Sequence, residues 1–376
     1  MTRLAIIGAG GFVGTSLVES LVLGGAPAPT AIVRSYRNLA TLCRFGAAVE
    51  IRKADAANVS ALAHALRDTT AVVNVTTGPP AGIVRSTPTI YQACVQAGVK
   101  RLIHVSSAVV YGDVPDAIND DAPPLSRHWM PYARAKAASE VWLRERLGRG
   151  ELEITVLRPG VVWGARSPHT LELARTLSGK RACLVDDGQG IFNGIYISNL
   201  VAAIRRAVDA EVPAAGFYNV GDQETVTWYG LFAALGEPLG CDPERIARVT
   251  SERFPWSASA VFDTVQNLPL VNQLYHRVKT HVPDAIKAAL RDRLEGGYAY
   301  ERPATTYAAR PGVSRELWHL QRVRHKLPME KFARTFGFVP PVRFDEAIER
   351  TLRWLASVGL PRCAASAADG GKAHAA

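Results

Sequence analysis

Cysteine is scarce in this chain, and its few thiols lie far apart. The five cysteines form no CxxC pair and have no histidine cluster beside them: Cys43, Cys94, Cys183, Cys241 and Cys363. Disulfide frameworks and structural zinc sites need close, repeated spacings, so the sequence predicts neither of these and no metal site. Scattered thiols are typical of a reducing compartment, and we therefore expect a cytoplasmic protein.

Long apolar runs are missing as well. No window supplies the roughly 20 apolar residues that a membrane-spanning helix requires. The first apolar run, residues 4–7, is interrupted at once by glycine, whereas a secretory signal peptide needs a longer run. These absences predict a soluble protein.

Positive charge is in surplus, but without the motifs of a nucleic-acid-binding protein. The chain has 44 Lys and Arg against 34 Asp and Glu, a net charge of +10. These residues are dispersed, and no zinc finger or aromatic RNA-binding motif accompanies them. We therefore expect no nucleic-acid partner, and we assign the charge to a basic surface or to a site for an anionic small molecule.

Short apolar runs alternate with helical patterns through the first half of the chain. This alternation is the signature of βαβ units around a parallel sheet. It predicts an α/β fold, a Rossmann-type doubly wound parallel sheet with a smaller, mostly helical C-terminal substrate lobe. The predicted strands are 4–7, 30–33, 49–52, 71–75, 101–106 and 154–157, and the predicted helices are 15–23, 39–45, 59–66, 87–97, 132–147, 170–177, 198–208, 228–235 and 344–355.

The predicted domain organisation follows from where this alternation ends. Residues 1–168 form the dinucleotide-binding domain, to which segments near 190–220 return, and residues 169–362 form the substrate lobe. The lobe includes a basic insertion, about 253–325, with an amphipathic part at 270–294. Four roles are possible for this part: it covers the substrate pocket, forms a homodimer contact, makes a peripheral contact with an anionic membrane, or packs on its own lobe. The Ala- and Gly-rich tail, 363–376, is predicted to be disordered.

A glycine motif follows the first predicted strand and opens the first helix. Gly8, Gly11 and Gly14 are spaced for a tight turn, for close approach of the backbone to a pyrophosphate, and for close helix packing. The free N–H groups at the start of the helix attract phosphate oxygens. After a buried strand and before further βα units, the motif predicts a dinucleotide site.

The end of the second strand indicates which nicotinamide cofactor binds. An acidic residue there would bind the ribose hydroxyls of NAD(H), but this chain has Arg34, which can pair with the extra phosphate of NADP(H). The sequence therefore favours NADP(H), with NAD(H) as the alternative if Arg34 stacks on adenine or faces solvent. Asp55, after the third strand, either accepts a hydrogen bond from adenine or belongs to a helix start.

Tyr132 and Lys136 are four residues apart and therefore share one face of a predicted helix. A nearby ammonium stabilises a phenolate by opposite-charge attraction, so this pair can move a proton to or from a substrate oxygen while the cofactor carries hydride. Ser107 ends the fifth strand, where its hydroxyl can hold the same oxygen. A Tyr-Lys pair at this spacing is common by chance. The serine at the strand end makes it more specific evidence for a catalytic site.

These strings together resemble the extended short-chain dehydrogenase/reductase family, the NAD-dependent epimerase/dehydratase-like proteins. The resemblance rests on the glycine motif, the Ser107 string, the Tyr132–Lys136 pair, Leu157-Arg-Pro-Gly-Val-Val-Trp-Gly164, Asp187-Gly-Gln-Gly190, Ile195-Tyr-Ile-Ser-Asn-Leu200 and Tyr218-Asn-Val-Gly221. It covers residues 3–235 and, more faintly, 332–355. The resemblance implies Tyr132 as acid and base, Lys136 as its activator and ribose ligand, and Ser107 as the partner of the substrate oxygen. The implied cofactor-binding residues are Gly8, Gly11, Phe12, Val13, Gly14, Arg34, Asp55, Ala56, Val75, Thr76, Thr77, Ser106, Tyr132, Lys136, Pro159 and Val161.

Two departures from the family pattern narrow the reaction. Family members that remove water from sugars carry Asp-Glu after the catalytic serine, whereas this chain has Ala108 and Val109. The arginine that many relatives use for a nucleotide-sugar diphosphate is replaced by Phe192-Asn193-Gly194, although Arg175, Lys180 or Arg181 can substitute for it. The candidate substrate contacts are Val109, Trp163, His169, Asn193 and Tyr196, with core packing as the alternative for Trp163 and a solvated loop as the alternative for His169.

Three functions fit this sequence. The first is an epimerase or ketoreductase that acts on the carbinol or ketone carbon of a nucleotide-linked sugar. The second resembles 3β-hydroxysteroid dehydrogenase and dihydroflavonol reductase and acts on an apolar alcohol or ketone, which the missing arginine favours. The third is a catalytically silent nicotinamide-binding sensor or scaffold, which the intact Ser107–Tyr132–Lys136 set opposes.

Overall fold

Parallel strands that are buried on both faces form the centre of the molecule. A computed structural model describes residues 3–36, 39–112, 118–252, 254 and 313–360. The strands are β1 (Leu4–Ile7), β2 (Thr30–Val33), β3 (Glu50–Lys53), β4 (Ala71–Asn74), β5 (Arg101–Val105), β6 (Glu153–Pro159), β7 (Val161–Trp163), β8 (Cys183–Val185), β9 (Gly194–Tyr196), β10 (Gly216–Val220) and β11 (Ala247–Val249). Seven of them form one sheet in the order β10-β6-β5-β4-β1-β2-β3. All neighbours in this sheet are parallel.

Helices cover both faces of this sheet. They are α1 (Phe12–Leu23), α2 (Ala40–Cys43), α3 (Val59–Ala65), α4 (Pro80–Gln96), α5 (Pro131–Arg144), α6 (Pro168–Ser178), α7 (Ile197–Val208), α8 (Trp228–Gly236), α9 (Arg315–Gln321), α10 (Glu330–Phe336) and α11 (Phe344–Ser357). Alternate residues of β1 point to opposite faces: Leu4 and Ile6 pack in the core beneath α1 and α7, and Ala5 and Ile7 pack in the core beneath α3, α4 and α5. Burial on both sides explains why β1 and β2 are almost wholly apolar, whereas the edge strand β3 is mostly charged and at least partly exposed along its length.

The C-terminal part is built on short strand pairs and on buried polar contacts. β7 pairs with β9, and β8 pairs with β11. Gln321, at the end of α9, is fully buried; its Oε1 accepts a hydrogen bond from the N–H of Val185 at 2.8 Å, and its Nε2 donates to the carbonyl of Cys183 at 3.0 Å. This double contact fixes α9 against β8.

The predicted fold class is confirmed, with corrections to individual elements. β1 and β2 have the predicted bounds, whereas α4 begins at Pro80 instead of residue 87 and continues through Pro88. The four short strands β7, β8, β9 and β11, the sheet strand β10, and α9 and α10 were not predicted. The last strand of the sheet, β10, comes from the segment that we expect to return to the dinucleotide-binding domain, and the domain boundaries themselves remain a prediction.

Two predictions fall largely on residues that the structure does not describe. The amphipathic part of the insertion, 270–294, and the tail, 363–376, both lie outside the described residues. Of the insertion, residues 315–321 form α9. Among the described residues, no helix has both the length and the apolar character needed to cross a bilayer.

Candidate active site

The glycine motif lies at the point where the strand order reverses. From β1 the chain first builds the sheet outward through β2 and β3, and from β4 it builds in the opposite direction. The loops after β1 and β4 therefore diverge and leave a crevice at the carboxyl ends of the strands. Gly8 has φ +89°, and a Cβ there would lie 3.1 Å from the backbone N of Thr76. Both the backbone conformation and this close approach call for glycine at position 8.

Gly14 provides the second close approach of this loop. A Cβ on Gly14 would lie 2.3 Å from the carbonyl oxygen of Gly8 and 2.7 Å from the Cα of Ala9. The turn closes through a 3.0 Å hydrogen bond from the N–H of Gly11 to the same carbonyl. α1 then begins at Phe12, so the N–H groups of its first turn stay available for an anion. This cradle fits the pyrophosphate of a dinucleotide.

Basic side chains gather at the outer end of the crevice. Arg34 and Tyr36 are exposed directly after β2, and Lys53 lies beside Val33 in the register of β2 and β3. The Lys53 Nζ lies 6.0 Å from the centroid of the Tyr36 ring. In contrast, the exposed carboxylate of Asp55 is bonded within its own loop, where its Oδ1 accepts a 2.9 Å hydrogen bond from the N–H of Ala57. This end of the site is therefore suited to an anionic group.

Asp55 does not cap the following helix. The N-cap of α3 is Asn58, whose side-chain oxygen accepts from the N–H of Ala61 at 3.0 Å. Asp55 is exposed after β3, which leaves the adenine contact open as its role. The remaining predicted cofactor residues follow the other strands: Ala56 after β3, Val75, Thr76 and Thr77 after β4, Ser106 after β5, Pro159 at the end of β6 and Val161 at the start of β7, with Phe12 and Val13 opening α1.

Lys136 is held beneath the same edge of the sheet. It lies on α5 and is 3% exposed. Its Nζ donates to the carbonyl oxygen of Val105 at 2.9 Å and reaches that of Thr76 at 3.5 Å. Burial lowers the pKa of Lys136 to about 8, although the carboxylate of Glu140 opposes the change. The ammonium is thereby fixed between the ends of β4 and β5.

Tyr132 lies one turn before Lys136 on α5, and its ring centroid is 5.9 Å from the Lys136 Nζ. The sequence predicts that the ammonium makes this phenol more acidic. The protein groups alone have the opposite net effect: burial, together with the carboxylate of Glu316, raises the pKa of Tyr132 to about 12. Tyr132 is therefore protonated at neutral pH and can serve as a proton donor.

Ser107 begins a short turn at the end of β5. Its Oγ accepts a 3.3 Å hydrogen bond from the N–H of Val109, which opens the 3₁₀ turn Ala108–Tyr111. Next to it, the N–H of Ser106 donates to the carbonyl of Leu157 at 2.7 Å. The Ser106 hydroxyl is buried and has no hydrogen-bond partner among the described residues, so an unsatisfied polar group lies at the end of β5 beside Ser107.

A buried ion pair supports this turn and was not predicted from the sequence. Arg158 on β6 and Glu140 on α5 both have fully buried side chains and are 2.6 Å apart. Arg158 also donates to the Tyr111 hydroxyl at 2.7 Å, and that hydroxyl donates to Asn219 Oδ1 at 2.7 Å. The network connects α5 with the turn that carries Ser107. Arg158 is part of the sequence string Leu157-Arg158-Pro159. Its partner Glu140 lies 18 residues away in sequence, so the local pattern did not indicate the pair.

α9 closes over the beginning of α5 and was also missed. The guanidinium of Arg315 lies 4.6 Å from the ring centroid of Trp129, and the His319 ring stacks on Trp129 at 5.2 Å. Positions 315 and 319 are one turn apart, so this face of α9 is turned toward the segment before Tyr132. Glu316, on the same helix, is the group whose charge reaches Tyr132.

Most of the residues predicted to contact substrate interact with other residues of the protein instead. Trp163 and Tyr196 are each 3% exposed, and their rings pack at 5.3 Å. The Trp163 Nε1 and the Tyr196 N–H both donate to Asp222 at 2.9 Å. This corrects the substrate assignment of Trp163 and Tyr196, because a closed core leaves no surface for a ligand.

The other three candidates differ from one another. Asn193 donates through Nδ2 to the carbonyl of His325 and accepts through Oδ1 from the N–H of Leu327, both at 2.8 Å. Its side chain therefore fixes the 325–327 segment; Asn193 is half-buried, and its assignment to substrate stays a prediction. His169 is exposed in the first turn of α6. Val109 stays beside Ser107 and is half-buried, and it remains a candidate.

Comparison with known proteins identifies the relatives of this chain. A family model described as NAD(P)H-binding matches residues 8–175. The chain is 27% identical over 367 residues to 2-alkyl-3-oxoalkanoate reductase of Stenotrophomonas maltophilia (strain K279a), covering 93% of this chain and 98% of that protein. It is 29% identical over 187 residues to 3beta-hydroxysteroid-dehydrogenase/decarboxylase isoform 1 of Arabidopsis thaliana, covering 46% of this chain but only 42% of that protein.

Solved structures share the fold at low identity. The dTDP-glucose 4,6-dehydratase from Bacillus anthracis str. Ames, in complex with NAD, superimposes with a TM-score of 0.67 at 17% identity, covering 95% of this chain and 97% of that one. The UDP-glucuronic acid 4-epimerase from Bacillus cereus, in complex with UDP-glucuronic acid and NAD, gives 0.65 at 15% identity, covering 95% and 100%. These likenesses support the same nucleotide-binding architecture.

Proposed function

We propose that this chain is an NAD(P)-dependent oxidoreductase of the extended short-chain dehydrogenase/reductase family, the family of its relatives, and that it reduces the ketone of an apolar substrate with NADPH. The observation that carries this proposal is the hydrogen bonding of the Asn193 side chain. Asn193 belongs to the string Phe192-Asn193-Gly194, which stands where many relatives place the arginine that binds a nucleotide-sugar diphosphate, and both ends of its amide are bonded to the 325–327 segment. An uncharged side chain that is bonded to the protein through both its oxygen and its nitrogen gives a diphosphate no counter-charge at this position.

The relatives support the same substrate class. The match that spans nearly all of both chains is to a 2-alkyl-3-oxoalkanoate reductase. A further relative is a ketoreductase from Stigmatella aurantiaca that acts on a farnesyl-substituted dihydroquinoline oxide, and the match covers 75% of that protein. Nucleotide-sugar enzymes are also among the relatives: the match to the UDP-glucose 4-epimerase of Mycolicibacterium smegmatis covers 53% of that enzyme, and the match to a dTDP-glucose 4,6-dehydratase of Actinoplanes sp. covers 86% of that one. The dehydratase reaction is not proposed, because Ala108 and Val109 stand where it needs two carboxyl groups.

In the proposed mechanism the protein supplies the proton and the orientation. Bound NADPH would supply hydride for the carbonyl carbon. The Tyr132 hydroxyl donates its proton to the carbonyl oxygen, so that ketone, NADPH and one proton would give alcohol and NADP⁺. Ser107 donates a hydrogen bond to the same oxygen, which becomes negatively charged as hydride arrives. Lys136, held by the carbonyl of Val105, provides a fixed positive charge beside Tyr132 and stabilises the phenolate until it is reprotonated.

The preference for NADPH follows from the charges at the end of β2. Arg34 is exposed there with Lys53 on the neighbouring strand, and neither is paired with a carboxylate in the described part of the chain. A guanidinium can bind the 2′-phosphate through two charge-assisted hydrogen bonds. We therefore expect Arg34→Asp to weaken NADPH binding at least tenfold and to leave NADH binding within about threefold, since each tenfold step corresponds to about 1.4 kcal/mol. Arg67→Gln, an exposed site at the far end of α3, is the control.

Substrate class is tested by following cofactor oxidation spectrophotometrically. The purified protein is mixed with NADPH or NADH and with two panels, apolar ketones and 3-oxo acids in one, UDP- and dTDP-linked sugars in the other. The proposal expects net oxidation of NADPH only with the first panel. Epimerisation of a nucleotide sugar with no net change in cofactor would instead support the epimerase reading, and tight cofactor binding without turnover of either panel would support the silent binding protein.

A further inference from the structure

A chain of buried polar side chains runs beneath Lys136. Asn74, the last residue of β4, lies beside His104 of β5 in the sheet register, and each is 2% exposed. The Asn74 Oδ1 accepts from the hydroxyl of Thr76 at 2.7 Å and from its N–H at 3.1 Å, and the Asn74 Nδ2 is 3.0 Å from His104 Nδ1. Burying polar side chains on the central strands of a parallel sheet costs free energy of folding, so their presence here needs an explanation.

These contacts fix both the amide orientation and the protonation of the histidine. Because Thr76 brings two donors to one atom, that atom of Asn74 is the oxygen, and Nδ2 must donate to His104 Nδ1. His104 is then the tautomer protonated at Nε2, which is buried and has no hydrogen-bond partner among the described residues. Burial, and secondarily the charge of Lys136, lowers the pKa of His104 to about 3. The imidazole is therefore neutral throughout the physiological range.

Both carbonyls that face the Lys136 ammonium adjoin this pair. One belongs to Val105, the residue after His104, and the other belongs to Thr76, the residue whose N–H and hydroxyl are bound by Asn74. The other charged or titratable groups at Lys136 are Glu140, one turn further along α5, and Tyr132, one turn earlier. The Asn74–His104 contact thus links the two strand ends that hold the ammonium.

We propose that Asn74 and His104 are positioning residues for Lys136. The amide holds the Thr76 carbonyl at the ammonium, and the neutral imidazole holds the amide without adding a second positive charge to the cavity. This inference rests on the role of Lys136 in the proposed function. It adds that two side chains that touch neither substrate nor cofactor hold Lys136 in position. Through Lys136 they also affect how the nicotinamide ribose binds.

The test compares apolar and conservative replacements at each position. Asn74→Leu removes the hydrogen bonds and keeps the branching at Cγ, His104→Leu removes them at similar volume, and His104→Gln keeps an acceptor for the Asn74 amide. Thr155→Val is the matched control, because it removes a buried strand hydroxyl that bonds the carbonyl of Ala214 at 3.0 Å, away from Lys136. Thermal unfolding of each variant shows that it is folded, and if Asn74→Leu does not fold, the two His104 variants carry the test.

Two readouts are independent of substrate turnover. Lysine-labelled protein, with the Lys136 NMR signal assigned through Lys136→Met, gives the pKa of the ammonium, and fluorescence titration gives the dissociation constant for NADPH. Loss of the Thr76 acceptor destabilises the charged form, so both leucine variants should lower the pKa of Lys136 and weaken NADPH binding about tenfold, the effect of one hydrogen bond to a charged group. His104→Gln should stay within about threefold of the unaltered protein in NADPH binding by the same reasoning.

The outcomes separate this inference from the proposed function. Leucine variants that are folded and keep the Lys136 pKa and the NADPH affinity of the unaltered protein would overturn the positioning role. Equal losses in His104→Gln and Thr155→Val would also overturn it, since they would indicate a general packing defect. If the expected pKa and affinity changes occur but no ketone is reduced, the positioning role stands and the proposed substrate class fails.

Discussion

Gly14→Ala is the substitution for which the structure gives the sharpest expectation. The added Cβ would lie 2.3 Å from the Gly8 carbonyl oxygen and 2.7 Å from the Ala9 Cα. Both atoms are backbone, so no side chain can rotate away, and either α1 or the glycine loop must move by about 1 Å to reach an ordinary contact. Overpacking of this kind costs about 1–3 kcal/mol, and the rigid partners place the expected loss of unfolding free energy near the upper end.

The same displacement acts on the cofactor site. Moving the loop misplaces the N–H groups that we assign to the pyrophosphate, and each hydrogen bond to a charged group contributes about 1.5–3 kcal/mol, so the dissociation constant for NADPH should rise at least about a hundredfold. Fluorescence titration measures the affinity, and urea unfolding measures the stability.

Gly82→Ala is the matched control for Gly14→Ala. Gly82, like Gly14, is the third residue of its helix. A Cβ there would meet nothing within 4 Å. Alanine should therefore stabilise α4 by about 0.5–1 kcal/mol through its higher helix propensity and leave NADPH binding unchanged. If Gly14→Ala binds NADPH as tightly as Gly82→Ala does, the close-approach argument for the glycine loop is refuted.

Two further predictions concern the groups around α5. Arg158→Met leaves Glu140 as an unpaired buried carboxylate and should lower the unfolding free energy by about 3–5 kcal/mol, whereas Arg350→Met, which removes an exposed ion pair, should cost less than about 1 kcal/mol in urea unfolding. Similar losses in both variants would contradict the burial argument. Glu316→Gln removes a negative charge that disfavours the phenolate, so the pKa of Tyr132 should fall. Because reduction needs the protonated phenol, activity should then decline at a lower pH than in the unaltered protein; an unchanged or higher midpoint would show that Glu316 does not act on Tyr132.

The sequence was most informative where local pattern and chain geometry coincide. β1 and β2 are short apolar runs ended by a turn, and their bounds match the prediction. The Gly8 motif and the Tyr132–Lys136 pair are also local, because their spacing alone places them at a helix start and on one helix face. The carboxyl ends of parallel strands meet at one edge of a sheet, so the fold class was sufficient to bring Arg34, Thr76 and Ser107 to the same side.

Prediction failed where a contact joins residues distant in sequence or where an element is short. β7, β8, β9 and β11 have three residues each, too few for a periodicity to appear. The helix predicted from residue 87 begins at Pro80, which provides its N-terminal proline, and it continues through Pro88. The partners Asn74 with His104, and Tyr132 with Glu316, are set by tertiary packing, and nothing in their local sequence indicated them.

The central claim is that the Tyr132 hydroxyl donates the proton during reduction of a carbonyl in this site. Tyr132→Phe removes that hydroxyl and little else, so the decisive measurement is its single-turnover rate of NADPH oxidation with a ketone that the unaltered protein reduces, alongside its NADPH dissociation constant. The account predicts binding within about threefold and a rate lowered by about 10²–10⁴, the usual contribution of a positioned general acid. A variant that binds NADPH normally and oxidises it at an undiminished rate would contradict the account.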